Sequence, residues 1–137
     1  MPKLLGSIVG LTLAMTGLAQ ADVQKCVMQS GASIQHGWIA PEIYVSYDAA
    51  TKKIEVFDGI ISAFNKEKPI GATINSEKDI SRTFGWSLFL INGAGQRTKM
   101  QYQASLFLAT GKLHVTARPI GYRDVFSAIG ACKPFQG

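Results

Sequence analysis

The sequence predicts an all-β fold, a small antiparallel barrel or sandwich of about seven to nine strands closed by a disulfide. Three observations predict it. Apolar and polar residues alternate with a period of two through most of the second half of the chain. No long segment carries apolar residues at the three- and four-residue spacing of an amphipathic helix. The two cysteines, Cys26 and Cys132, flank almost all of the strand-like sequence.

Residues 1–21 are set apart from this pattern. Met1-Pro2-Lys3 offers one early positive charge, Leu4 to Leu18 is uncharged and mainly apolar, and Ala19-Gln20-Ala21 puts small residues just before Asp22. That is the layout of a secretory signal, so residues 1–21 are expected to be removed and 22–137 to form a single β domain. The apolar run is shorter than the ~20 residues that cross a bilayer, and no basic cluster follows it, so no transmembrane segment is expected in the mature chain. No cysteine follows Ala21 to take a lipid anchor. The chain is expected to be secreted or periplasmic, and the short basic start favours a bacterial periplasm. In an oxidising compartment Cys26 and Cys132 are expected to form a disulfide.

The first half holds shorter strands. Ile43, Val45 and Tyr47 alternate with polar neighbours, as do Ile54 and Val56. A loop from Asp48 to Lys53 sets Tyr47 against Ile54 and Val45 against Val56. Asp58-Gly59 reads as a tight turn into Ile60–Phe64 or as a bulge in one longer strand. If it is a turn, Phe57, Ile60 and Phe64 form an exposed apolar patch. Ile70, Ala72 and Ile74 suggest a further strand. Ser76 and Asp79 have the spacing of a capping box, which predicts a helical turn over Ser76–Arg82.

The second half is clearer. Phe84, Trp86, Leu88 and Leu90 share one face, as do Thr98 to Leu108 at alternate positions and Leu113, Val115 and Ala117. A slip of one residue would turn a whole apolar face to water, so buried positions must oppose buried positions. Asn92-Gly93 as a two-residue turn fails this test, because it sets Leu88 against Arg97. A three-residue loop, Gly93-Ala94-Gly95, restores the match of Leu90 with Thr98, Leu88 with Met100 and Trp86 with Tyr102. A two-residue turn at Thr110-Gly111 sets Leu106 against Val115 and Ala104 against Ala117. His114 then opposes Phe107.

An up-and-down barrel is preferred, with the disulfide tying the first strand to the last. An immunoglobulin-type domain would match Trp38 after Cys26, but Gly130 stands where its corner tyrosine belongs. The expected size and architecture resemble those of small periplasmic lysozyme inhibitors. Their Ser-Gly-x-x-Tyr type of loop is only half matched by Ser30-Gly31, with Ile34 at the last place, and no family is assigned.

No hydrolase, metalloprotease, phosphate-loop or dinucleotide motif is present, so no catalytic residue, metal ligand or cofactor is assigned. His36 and His114 stand apart from any recognisable ligand set. Charge is more informative. Residues 22–82 hold seven Lys and Arg against eight Asp and Glu, whereas residues 83–137 hold six against Asp124 alone. Arg97, Lys99, Lys112, His114 and Arg118 are expected on the polar face of one hairpin, a candidate binding face. A non-catalytic envelope module contacting an anionic component or a protein is therefore expected. Nucleic acid is not, since no aromatic residues interleave the basic ones. The alternative is a carrier with a pocket for a small apolar ligand inside the barrel.

Overall fold

The computed structural model describes residues 22–136, so the expected signal segment lies outside the described residues. The chain forms an eight-stranded closed antiparallel barrel in which each strand pairs with the next and β1 pairs with β8. The strands are β1 (Asp22–Met28), β2 (Glu42–Asp48), β3 (Lys53–Asp58), β4 (Ile70–Glu77), β5 (Ser81–Ile91), β6 (Arg97–Phe107), β7 (Lys112–Pro119) and β8 (Phe126–Pro134). Among the described residues, two short helices, α1 (Ala32–Gln35) and α2 (Gly59–Phe64), sit in connections. Among the described residues, no helix is long and apolar enough to cross a membrane. Closure removes the free sheet edges that would otherwise invite pairing with other chains.

Alternation is realised on every strand. Even-numbered positions of β5 and β6 and odd-numbered positions of β7 point inward, and Phe84, Met100, Leu113 and Val115 are fully buried. Trp86 stacks nearly parallel on Tyr102, with ring centroids 5.3 Å apart, and on Phe84 at 6.1 Å. A barrel of this size has an interior that its own side chains fill. The disulfide joins Cys26 to Cys132, which face each other in the β1–β8 ladder.

The register across β5 and β6 is the expected one: Leu90 opposes Thr98, Leu88 opposes Met100 and Trp86 opposes Tyr102. Asn92 and Gln96 close a three-residue loop through their backbones, with Gly95 at a φ of +80°. The β2–β3 pairing of Tyr47 with Ile54 and Val45 with Val56 also holds.

Three expectations are corrected. The β6–β7 register is shifted by two residues, so that Leu106 faces Leu113, Ala104 faces Val115 and His114 faces Ser105 rather than Phe107. The connection takes four residues, 108–111. The Leu108 N–H is drawn away to the carbonyl of Ile80, and Gly111 bonds back to Phe107. An even shift preserves which face each side chain takes, so parity cannot detect it. Second, Asp58-Gly59 is neither turn nor bulge. The Asp58 carboxylate accepts a 2.7 Å hydrogen bond from the Ile61 N–H and caps α2. This helix drives Ile61 into the core and packs Phe57 and Ile60 against it, so only Phe64 of the expected patch is exposed. Third, Ser76–Arg82 is not helical. β4 continues to Glu77, and a tight turn leads to Ser81.

Candidate functional site

Connections in an up-and-down barrel alternate between its two ends. Those at one end are tight, residues 49–52, 78–80 and 108–111. This end carries a polar cluster. The Arg82 guanidinium lies 3.6 Å from the Tyr47 ring centroid, and its Nε donates to Glu77 Oε2 at 2.9 Å. Tyr47 donates to the same oxygen at 3.0 Å, and Lys52 pairs with Oε1 at 3.6 Å. The Arg82 and Tyr47 hydrogen bonds hold the Glu77 carboxyl below its ordinary range.

The other end carries the long connections, residues 29–41, 59–69, 92–96 and 120–125. Ile39, Ala40 and Ile61 close the barrel there, and the Tyr102 hydroxyl donates to the Trp38 carbonyl at 3.1 Å. Burial pushes the Tyr102 phenol well above its ordinary range, with the nearby Asp58 carboxylate adding to it.

Above this plug the long connections enclose a cleft of about 530 Å³. Trp38 and Phe126 form one wall, stacked at 4.9 Å with an 11° interplanar angle. Met100 and Leu90 lie beneath, and Phe64, Ile91 and Tyr122 stand at the rim. His36, Gln96 and Asp124 add polar groups. Asn92 is committed to structure, since its carboxamide oxygen accepts the N–H groups of Ala94 and Gln96. Volume and lining suit a small ligand or an inserted side chain.

All five residues of the predicted binding face are exposed on the outer wall of β6 and β7, but they do not form one cluster. Arg97, Lys99 and Arg118 lie beside the cleft end. The Arg97 guanidinium sits 4.0 Å from the Phe89 ring centroid, and Lys99 Nζ lies 5.8 Å from it. Lys112 lies at the opposite end of β7, six residues from Arg118, or about 20 Å along a strand. His114 is nearer to Lys112, in a shallow depression with Ser127 and Ile129. Among the described residues, no three His, Cys, Asp or Glu side chains come together as a metal site.

The cleft was not anticipated from sequence. Its residues belong to connections and strand ends, where periodicity carries no signal. Alternation of connections around an up-and-down barrel was the one available clue that residues 92–96 and 120–125 share an end. A second concavity, about 510 Å³, lies on the outer wall and is lined by Asn75, Ser87, Gln101, Gln103, Thr116 and Arg118 over Gly71 and Gly85. Compared with known proteins, this chain matches no family model, no curated protein and no solved structure.

Proposed function

We propose that this chain is an exported, non-catalytic binding module of the cell envelope that contacts an anionic component or an acidic protein through its basic hairpin face. The observation that carries the reading is the grouping of Arg97, Lys99 and Arg118, all exposed, beside the apolar cleft. Exposed cations next to an apolar recess attract an anionic partner and offer it a dry contact. The filled interior of the barrel favours surface recognition over internal storage. Lys112 and His114 fall outside this contact. Export rests on the apolar run Leu4–Leu18, on Ala19-Gln20-Ala21 and on the disulfide, a bond that persists in oxidising compartments.

A second reading, a carrier of a small apolar ligand, is favoured by the cleft itself, which lies at the mouth of the barrel rather than inside it. One set of measurements separates the two. Binding of wild type and R97Q/K99Q/R118Q to anionic vesicles, cell-wall fragments and captured envelope proteins is compared at low and near-physiological salt. The binding module loses affinity both through the substitutions and through added salt, because screening acts on exposed charge. Equal binding by both proteins to every partner refutes it. The carrier instead shows salt-independent quenching of Trp38 emission by apolar probes.

A further inference from the structure

We infer that the cleft end of the barrel docks on the surface of a bilayer containing anionic lipid, with its apolar loop tips entering the headgroup boundary. The inference deepens the reading above and rests on it, since it names the anionic partner. Two independent features coincide at this end. The first is apolar. Phe64, Ile91, Ile120, Tyr122 and Val125 come from three separate segments and are each 40–62 % exposed. Leaving such side chains in water is unfavourable, and a tyrosine with an apolar body and a polar tip suits a membrane–water boundary.

The second feature is charge. Lys66, Lys68, Arg97, Lys99, Arg118 and Arg123 lie in or next to the connections of this end, against Glu42, Asp58, Glu67 and Asp124, of which Glu42 pairs with Lys25 and Asp58 is buried. Among the described residues, none of these six cations forms an ion pair. The opposite end provides an internal comparison. It also exposes Ile80 and Leu108, but its cations are nearly matched by Asp22, Asp48, Glu55, Glu77 and Asp79. The excess of exposed positive charge beside apolar tips is therefore larger at the cleft end. A folded protein partner would answer this with particular acidic residues at particular places. The cations are instead spread over α2–β4, β6, β7 and β7–β8, which suits a diffuse sheet of negative charge with an apolar layer directly behind it. Neither signal alone gives stable attachment, whereas an apolar anchor combined with a basic patch does.

The test is co-sedimentation of the purified protein with vesicles of phosphatidylcholine alone or mixed with phosphatidylglycerol. Wild type should partition onto the mixed vesicles only. R97Q/K99Q/R118Q should lower that partition by about 100-fold at low salt. I91S/I120S/Y122S should lower it by about 100-fold and should abolish the salt-resistant fraction. I80S/L108S, at the opposite end, should match wild type. All of these positions are exposed, and circular dichroism before and after each substitution checks that the barrel persists. Equal partition onto neutral and mixed vesicles overturns the inference, as does wild-type partition by I91S/I120S/Y122S. A parallel titration with soluble polyglutamate separates the two levels. Salt-sensitive binding to polyglutamate without any vesicle partition refutes the bilayer and leaves the anionic-partner reading standing. Binding to neither refutes both.

Discussion

Replacing both cysteines, C26A/C132A, tests how the barrel is held closed. The bridge spans a sequence separation of 106 residues. A ring of that size lowers the entropy of the unfolded chain by about 16 cal/mol/K, or about 5 kcal/mol at 25 °C. A domain of this length is stable by about 5–15 kcal/mol in total, so the loss is a large share. The seam itself survives, because β1 and β8 remain paired from Gln24 opposite Pro134 to Met28 opposite Gly130. The variant should fold to the same barrel and unfold at a lower urea concentration. With a slope of about 1.5 kcal/mol/M, the midpoint falls by about 3 M. Wild type in reductant should show nearly the same midpoint, which separates ring closure from the loss of two buried sulfurs. A shift below about 1 M, or a reduced wild type as stable as the oxidised one, would refute ring closure as the source of stability.

Asp58 gives a pH-dependent prediction. Burial raises its carboxyl above the ordinary value of 3.8, offset in part by hydrogen bonds from the Ile61 and Ile60 N–H groups. The folded state therefore holds this proton more tightly than the unfolded state, and the group's contribution to stability declines as pH rises from about 3.8 through the raised value. D58N keeps an oxygen for the Ile61 N–H without the charge, and should be at least as stable as wild type at pH near 7. Its advantage should shrink near pH 4, as urea melts at the two pH values would show, and a pH-independent difference would contradict burial as the cause. D58A, which loses the cap, should cost about 1 kcal/mol relative to D58N. At the seam, a Cβ on Gly130 would stand 2.5 Å from Met28 Sδ and 2.6 Å from the Val27 carbonyl oxygen. G130A should cost about 1–3 kcal/mol and lower Tm by roughly 5–10 °C, since backbone must move. G93A, which meets nothing within 4 Å, should melt with wild type.

What was legible in the sequence is what local periodicity encodes. Phe84, Trp86, Leu88, Met100 and Tyr102 read as one buried face and are one. The β5–β6 register was legible because the two candidate loops differ by one residue, and one of them buries Arg97 and Lys99. The β6–β7 register was not. A two-residue and a four-residue connection give the same parity, and the choice was made by the Leu108 N–H finding the Ile80 carbonyl in another hairpin. Ser76 and Asp79 have helical capping spacing, yet Glu77 is held instead by Tyr47, Arg82 and Lys52, two of which come from outside that segment. Local propensity lost to contacts that exist only once the barrel closes.

The candidate site divides in the same way. Composition alone revealed that positive charge gathers in the second half, and alternation put Arg97, Lys99, Lys112, His114 and Arg118 on an outer wall. Sharing a face does not mean sharing a place, however, because a strand extends about 3.4 Å per residue and carries Lys112 away from Arg118. The cleft was wholly a matter of tertiary structure. Trp38 and Phe126 are distant in sequence, and they stack only because α1 and its loop fold back over the barrel mouth beside the start of β8. The sequence by itself determined which side chains face inward, since burying an apolar face depends on a period of two. Which connections meet at one end, and so where the apolar tips join the cations, was decided by strand order and barrel closure. Those are long-range pairings that no local window contains.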